Sequence, residues 1–353
     1  MLRQLARLTR RVPAAGERAL ALSVYANDED LSLAARDQGF EGVACVDDVA
    51  RAIVLLLDLY RDIGEPRLRE WAVGLLDFVL YMQREDGRFH NFIRSWDGAI
   101  NTDGPTSYAG GTFWQARAVR ALAKAHLVLR DERVALPLAR GFAFASEHPA
   151  PPDVRAIQIL AALDLTRAGL TPVVRETLER WSDEIAECRH GDVLLNNPDE
   201  QTPHLWGHVH EGVLAEAAQF LDRPDLLELA RQSAHALLVP QIERAFPDRT
   251  VQPYGVAATT YSMDRLYQAT GESAYARLRD HARAWFDGRN SAQRPVYDRE
   301  AGRVHDGIDD GRINPHSGAE SNIVGAQALF PEVSARASAM LDEVGDRLEV
   351  LAA

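Results

Sequence analysis

The stretch Ala52-Ile-Val-Leu-Leu-Leu-Asp-Leu59 is apolar on nearly every face of the helix that its spacing predicts. A helix that is apolar all round is buried on all sides. Gly64 and Pro66 follow, and they suit a left-handed helix end and the first turn of a new helix. The sequence therefore predicts a helical hairpin whose first helix is buried.

The same pattern recurs along the chain, so that twelve helices are predicted in six pairs. Ala156-Ile-Gln-Ile-Leu-Ala-Ala-Leu163 is the counterpart of the opening stretch in the third pair. The first helices are predicted over residues 45–63, 111–129, 153–168, 204–221, 255–270 and 318–329. The second helices are predicted over residues 65–83, 131–148, 171–188, 224–238, 272–287 and 331–348.

The connections within pairs are short, whereas all but one of those between pairs are long. The long ones precede first helices and so gather at one face, and long loops in compact domains are usually functional. Six hairpins with one polarity most economically close into a ring, with the first helices as inner helices and the second helices as outer helices. The sequence therefore predicts an all-α (α/α)6 toroid. An open superhelix is the alternative, but its repeats would keep a near-fixed period, whereas these spacings vary between roughly 41 and 66 residues.

The predicted toroid covers residues 41–353 as a single domain. Residues 1–40 are expected to form an N-terminal extension that packs on it, with a helix around 14–25. The long connections are 84–110, 189–203, 246–254 and 289–317, and the short one is 149–152.

The composition excludes several classes of function. The net charge of −13, from 52 acidic and 39 basic residues among 353, argues against nucleic acid or an anionic membrane as partner. The first residues lack the apolar run that is typical of a signal peptide, and no run of 18 apolar residues occurs, so we expect a soluble, cytoplasmic protein. The two cysteines fit a reducing compartment, and without a Walker, GxGxxG or HExxH motif we expect no cofactor and no metal.

Two adjacent carboxylates, Asp47 and Asp48, open the first predicted inner helix. A charge buried without a partner is costly, so these residues require Arg51, the helix start or a substrate. A purely structural role, as a helix cap with an ion pair between Asp47 and Arg51, would explain the presence of one aspartate but scarcely of both. We therefore take at least one of them as a catalytic candidate, with the other bracing the helix start.

Aromatic residues alternate with amides and charged groups over residues 83–117. Flat apolar rings and planar hydrogen-bonding groups are what a sugar-binding cleft requires. The predicted substrate-binding residues of this segment are Trp96, Asp103, Trp114, Gln115 and Arg117.

Three histidines and a glutamate are concentrated in the stretch from His204 to Glu211. His204 and His208 have a metal-ligand spacing on a helix, but a metal would need further ligands from elsewhere. A carboxylate beside imidazoles more naturally forms a general acid or base, which makes Glu211 a catalytic candidate. Trp206, His208 and His210 are predicted to bind substrate.

The stretch from Asn314 to Ser321 leads into the sixth inner helix. Ser317 and Glu320 have the spacing of a capping box, so capping and substrate contact both stay open for Glu320. His316 and Glu320 are predicted to bind substrate, and Tyr254, before the fifth inner helix, extends the same rim.

Three motifs carry a resemblance to a known family: Glu41-Gly-Val-Ala-Cys-Val-Asp-Asp-Val-Ala-Arg-Ala52, the segment 113–122, and Asn314-Pro-His-Ser-Gly-Ala-Glu-Ser321. The chain resembles the six-hairpin glycosidase superfamily, and within it bacterial toroid proteins associated with glycosyltransferases. Many members have Glu-Asp before the second inner helix, where this chain has Tyr108-Ala-Gly-Gly111. The resemblance implies a carbohydrate-active protein with an oligosaccharide or sugar substrate and a glycosyltransferase partner.

Three functions are carried forward. The first is a glycoside hydrolase, in which Asp47 or Asp48 and Glu211 form the acid and base of an inverting mechanism in a cleft at the N-terminal ends of the inner helices. The second is a sugar epimerase or isomerase that moves a proton through histidines such as His208 and His316. The third is a non-catalytic saccharide-binding module that works beside a glycosyltransferase.

Overall fold

The computed structural model describes residues 1–26, 41–169 and 171–352, with side chains up to residue 345. Helices dominate it, which confirms the predicted all-α class. The helices are α1 Leu2–Leu8, α2 Val46–Ile63, α3 Pro66–Tyr81, α4 Thr112–Leu129, α5 Ala135–Glu147, α6 Pro152–Gly169, α7 Pro172–Glu187, α8 His210–Leu221, α9 Pro224–Ser233, α10 Val239–Glu243, α11 Pro253–Thr270, α12 Ser273–Arg283, α13 Ala319–Ala328 and α14 Phe330–Ala352.

Short strands lie in the connections between helices. They are β1 Thr9–Arg11, β2 Leu20–Leu22, β3 Ala44–Cys45, β4 Phe92–Ile93, β5 Arg189–His190, β6 Val193–Leu194, β7 Thr250–Val251, β8 Tyr297–Asp298, β9 Arg303–Val304, β10 Ile308–Asp309 and β11 Arg312–Ile313. Antiparallel pairs join β1 to β2, β3 to β4, β5 to β6, and β10 to both β7 and β11.

The chain divides into two compact units. The first comprises Met1–Pro149, Arg299–His305 and Pro315–Ala353. It holds the hairpins α2–α3, α4–α5 and α13–α14, and α2 packs against both α4 and α13. The side chains from Ile53 to Leu57 are all buried, so α2 is covered on every face as its sequence predicts.

The second unit comprises Ala150–Asp298 and Asp306–Asn314. It holds the hairpins α6–α7, α8–α9 and α11–α12, and α8 packs against both α6 and α11. The predicted apolar stretch of α6, residues 156–163, is buried throughout. Each unit therefore contains three hairpins. In each unit the first helix of one hairpin, α2 or α8, contacts the first helices of the other two.

The turns within pairs have the predicted chemistry. Gly64 and Gly271 end α2 and α11 in the left-handed conformation, with φ of 69° and 71°. Pro66, Pro172 and Pro224 stand at the first turns of α3, α7 and α9. These turns depend on residues adjacent in sequence, which is why the hairpins are predictable.

Two predicted helical segments are wrong. Residues 204–209 form a loop, and α8 begins only at His210, because Gly207 adopts a left-handed φ of 72° that breaks the helix. The helical spacing assumed for His204 and His208 therefore does not apply. Residues 14–25 are not a helix either: a short 3-10 turn at Pro13–Ala15 leads to β2, all three residues of which are buried.

The N-terminal residues pack against helices of the first unit, to which they belong. Helix α1 contacts α13 and α14, and β2 contacts α3. Residues 27–40 of the predicted extension lie outside the described residues. Within the described parts of the chain, no helix combines the length and the apolar character needed to cross a membrane.

Candidate functional site

Five charged side chains meet at the start of α2 in the first unit, and we call them the Arg51 cluster. Arg51 donates to Asp47 Oδ2 at 2.9 Å and to Asp48 Oδ1 at 3.1 Å, and it forms an ion pair with Glu320 Oε1 at 2.7 Å. The predicted pair between Asp47 and Arg51 is thus present. Arg117, from α4, also contacts Asp47, at 2.5 Å. The structure therefore brings four of the predicted site residues together around one arginine.

The two adjacent aspartates of this cluster have opposite electrostatics. Burial acts to raise the pKa of Asp47, but the charges of Arg117 and Arg51 outweigh it and hold that pKa below its usual range. Burial raises the pKa of Asp48 to about 7, and the charges of Glu320 and Asp47 act in the same direction while Arg51 opposes them. The side chain of Asp47 is 21% exposed and that of Asp48 is 6% exposed. Asp47 is thus an ionised, solvent-contacting group, and Asp48 is a buried acid that binds a proton far more readily than an ordinary aspartate.

Neither aspartate caps α2. The cap is Cys45, whose Sγ accepts a hydrogen bond from the Asp48 backbone N–H at 3.4 Å. Asn91 Oδ1 accepts the N–H of Asp47 at 3.2 Å. Because other residues take the capping positions, both carboxylates are available to the Arg51 cluster.

Trp114 and Gln115, predicted to bind substrate, hold the loop before α4. Trp114 Nε1 donates to the carbonyls of Phe89 and Tyr108, at 3.0 and 3.2 Å. Gln115 accepts the Phe89 N–H at 2.9 Å and donates to the Gly87 carbonyl at 3.0 Å. Both side chains are buried, and these contacts favour a loop-anchoring role.

The other predicted residues of the first unit are dispersed. Trp96 is half-buried in the turn at 95–98, and Asp103 is exposed and pairs with Arg94 at 3.1 Å. The ring centroid of His316 lies 5.2 Å from that of Tyr25.

The capping box proposed for α13 is not formed. Gly318 stands at the N-cap position, and Ser317 Oγ donates instead to the Val304 carbonyl at 2.8 Å. Glu320 pairs with Arg51, and its side chain is 37% exposed. Of the two readings left open for Glu320, the structure thus removes the capping one.

A second group of polar side chains surrounds the start of α8 in the second unit, and we call Asn196, His208, Glu211 and Ser233 the His208 cluster. His208 Nε2 lies 3.0 Å from Glu211 Oε1, and its Nδ1 lies 3.2 Å from Asn196 Oδ1. Ser233 Oγ donates to the same Glu211 oxygen at 2.6 Å. All four side chains are fully buried. The imidazole is therefore fixed from both ring nitrogens.

The electrostatics of Glu211 depend on this cluster. Burial acts to raise its pKa, but the charge and hydrogen bond of His208, together with the Ser233 hydroxyl, lower it below the usual range. Glu211 Oε2 and Asn196 Nδ2 are buried and make no hydrogen bond to the described residues. Buried polar atoms almost always have a partner, and each exception requires an explanation, such as a catalytic role or a bound water. Glu211 Oε2 and the Asn196 amide nitrogen thus lie in the buried cluster around the imidazole without a hydrogen-bond partner among the described residues.

Three further predicted residues, His210, Trp206 and Tyr254, belong to the second unit. The His210 ring stacks on that of His208 at 4.2 Å, and burial lowers its pKa well below 6.5. Trp206 is 42% exposed and stacks on His204 at 4.1 Å. Tyr254 is half-buried in the first turn of α11.

No group of three or more histidine, cysteine, aspartate or glutamate side chains among the described residues is arranged to hold a metal ion.

Sequence reasoning missed two members of the His208 cluster. Asn196 is in a loop, and its backbone carbonyl accepts the Asp153 N–H at the start of α6. Ser233 is at the end of α9, 22 residues beyond Glu211. A serine within the predicted second helix 224–238 is the signal that the sequence offered, and it is a weak one.

Comparisons with known proteins agree with this architecture. No protein-family model matches the chain, and no curated protein sequence is significantly similar to it. Among solved structures, a sugar epimerase from a ruminal bacterium has a TM-score of 0.71 at 13% identity, covering 94% of this chain and 95% of its own. The cellobiose 2-epimerase of Bacillus thermoamylovorans B4167 has a TM-score of 0.71 at 11% identity, covering 94% and 96%.

A glycoside hydrolase is similar as well. A family 76 glycoside hydrolase from a bovine Bacteroides thetaiotaomicron strain has a TM-score of 0.64 at 10% identity, covering 88% of this chain and 72% of its own. Likeness at such low identity shows a shared fold. The chain therefore has an (α/α)6 toroid fold, as its sequence predicts.

Proposed function

We propose that this chain is a carbohydrate-active enzyme that moves a proton on a sugar, as an epimerase or isomerase. His208 is the group that carries the proton, and Glu211 is the carboxylate that orients it. The observation that carries the proposal is the buried His208 to Glu211 contact of 3.0 Å, flanked by the unsatisfied Glu211 Oε2 and Asn196 Nδ2.

The chemistry of this reaction requires such an arrangement. A base takes the proton from the carbon next to the carbonyl of a ring-opened sugar, and the electrons of the broken C–H bond pass to the carbonyl oxygen. A proton delivered to the opposite face of that carbon, with the electrons returning from the oxygen, gives the epimer. A proton delivered to the former carbonyl carbon, with the neighbouring hydroxyl proton passing to the former carbonyl oxygen, gives the isomer. A buried imidazole held by a carboxylate suits the transfer on its own face of the sugar, because its low-dielectric surroundings strengthen the hydrogen bonds that orient it. In this proposal the Nδ1 contact to Asn196 gives way to the sugar while Glu211 holds Nε2, and delivery to the opposite face requires a second proton donor there.

The same cluster is less suited to hydrolysis by Glu211 as a general acid. The pKa of Glu211 is lowered, so its carboxyl group is ionised at neutral pH. Glu211 Oε1 also already accepts two hydrogen bonds. The names of similar structures, a sugar epimerase and a cellobiose 2-epimerase, support the epimerase proposal.

Solvent exchange tests the proposal directly. Glucose, mannose and cellobiose are incubated with the protein in D2O, and ¹H NMR follows deuterium at the carbon beside the carbonyl together with any new epimer or isomer. We expect exchange with wild type and a loss of about 10²- to 10⁴-fold in His208→Asn. Sugar binding by wild type with neither solvent exchange nor a new epimer or isomer would overturn the proposal.

A glycoside hydrolase is the second candidate, and Asp48 is the observation that favours it. Its pKa of about 7 is that of a carboxylic acid able to protonate a leaving group near neutral pH. Asp47, ionised between two arginines, is unsuited to that role. The similar family 76 glycoside hydrolase supports this candidate, and an inverting mechanism with Asp48 as acid stays part of it.

The two candidates are separated by their products. A panel of α- and β-linked gluco- and manno-oligosaccharides, followed by NMR, reports cleavage and the anomer formed. Hydrolysis that is lost in Asp48→Asn and retained in His208→Asn would favour the hydrolase over the epimerase. Saturable binding without turnover would favour the saccharide-binding module, for which a glycosyltransferase partner stays a proposal.

A further inference from the structure

Ser233 connects an outer helix to the candidate catalytic carboxylate. It is fully buried at the end of α9, and its Oγ lies 2.6 Å from Glu211 Oε1. Ser233 Oγ also accepts a hydrogen bond from the Leu194 N–H of strand β6, at 3.1 Å. Three separate elements, α8, α9 and the β5–β6 hairpin, are thus joined through one hydroxyl group.

The contacts fix the direction of this hydrogen bond. A serine hydroxyl has one proton to donate and lone pairs to accept with. Because the Leu194 N–H is a donor, the hydroxyl proton is directed to Glu211. Bonds from a hydroxyl to an ionised carboxylate are among the stronger hydrogen bonds in proteins.

The local backbone distinguishes Ser233 from an ordinary buried helical serine. Ser182, fully buried in outer helix α7, donates to the Leu178 carbonyl of its own helix at 2.7 Å, which is the common use of a serine inside a helix. Ser233 instead donates to another helix, and a π-helical turn, Ala234–Leu238, follows it at once. Such wide turns are frequent at functional sites.

We propose that Ser233 is a positioning residue: its hydroxyl holds the Glu211 carboxylate so that Glu211 orients His208 for proton transfer. This inference rests on the proposed function. It assigns to the outer helix α9 a part in the reaction, although α9 contributes no group that touches the sugar.

The test compares Ser233→Ala with Ser233→Thr, which keeps the hydroxyl, and with Ser182→Ala as the matched control. The Glu211 carboxyl is followed by ¹³C NMR in protein labelled at glutamate, with its signal assigned by its disappearance in Glu211→Gln. We expect Ser233→Ala to raise the pKa of Glu211 by roughly one unit, because the ionised form loses a donor. Ser233→Thr should restore the wild-type titration, and Ser182→Ala should leave it unchanged.

Turnover provides the second readout. In Ser233→Ala we expect kcat to fall by about 10- to 100-fold with KM nearly unchanged, and the acidic limb of the pH profile to move with the Glu211 titration. A Glu211 titration in Ser233→Ala that coincides with wild type would overturn the inference. If wild type turns over no sugar, the proposed function fails, while the NMR titration still decides whether Ser233 controls the pKa of Glu211. If Ser233→Ala does not fold, Ser233→Cys, whose thiol is a weaker donor, replaces it.

Discussion

His208 Nε2 and Glu211 Oε1 lie 3.0 Å apart at the start of α8, and both side chains are fully buried. A buried charge without a partner is costly, so each residue explains the presence of the other. The contact also fixes the orientation of the imidazole ring. This pair is therefore the centre of the proposed chemistry.

Glu211→Gln is expected to reduce turnover by about 10²- to 10⁴-fold with little change in sugar binding. Glutamine has nearly the same shape but cannot hold a charge beside His208. The measurement is kcat and KM for whichever sugar shows solvent exchange. As a control, His190→Asn alters an exposed histidine of the β5–β6 hairpin and should leave kcat and KM unchanged. Equal activity of Glu211→Gln and wild type would contradict the role of Glu211 in orienting His208.

Asp48 is expected to make stability depend on pH. Its folded pKa of about 7 lies above the ordinary value of 3.8, so between these values the folded state binds a proton that the unfolded state lacks. Stability from this group is fully present below about pH 4 and is lost as the pH rises to about 7. Asp48→Asn removes this titration, so the unfolding free energy of the variant relative to wild type should increase between pH 5 and pH 8.

Urea unfolding at several pH values checks this prediction. Asp103→Asn, on an exposed loop, serves as the control and should follow the wild-type pH dependence. Parallel curves for Asp48→Asn and wild type would show that Asp48 has an ordinary pKa.

Arg51 is expected to be essential for stability. It contacts three carboxylates and is 10% exposed, so Arg51→Met leaves buried negative charge with only Arg117 as a partner. Removal of one partner from a buried pair costs about 3–5 kcal/mol. The double variant Arg51→Met with Asp48→Asn should recover part of this loss.

The matched control is Arg133→Met. Arg133 also contacts two carboxylates, Asp77 and Asp131, but its side chain is 47% exposed, so its loss should cost less than about 1 kcal/mol. Chemical unfolding of the four proteins gives the comparison. Equal costs for Arg51 and Arg133 would mean that burial does not strengthen the Arg51 cluster.

Gly74 is expected to be required for the packing of β2 on α3. A Cβ at this position would approach a Leu20 side-chain carbon at 2.8 Å and the Arg18 carbonyl oxygen at 2.9 Å. Gly74→Ala should therefore destabilise the protein by about 1–3 kcal/mol. Gly345→Ala, in α14 with no atom within 4 Å of an added Cβ, should instead stabilise it by up to about 1 kcal/mol; a thermal shift of the same sign in both would refute the packing.

The sequence by itself determined the six hairpins. Most of the observed helix ends lie within a few residues of the predicted ones. Their signals are local: helical periodicity over one segment, and glycine or proline at turns such as Gly64 and Pro66. Helix α8 is the exception, because the left-handed Gly207 delays its start to His210, whereas the composition there still favours a helix.

Only the tertiary structure decided the chemistry of the candidate sites. Asp47 and Asp48 are neighbours in sequence, yet their pKa values shift in opposite directions because Arg117, 70 residues away, contacts only Asp47 of the two. Ser233 reaches Glu211 across 22 residues in the same way. Backbone conformation responds to adjacent residues, whereas burial and charge depend on groups that the chain brings together only when it folds.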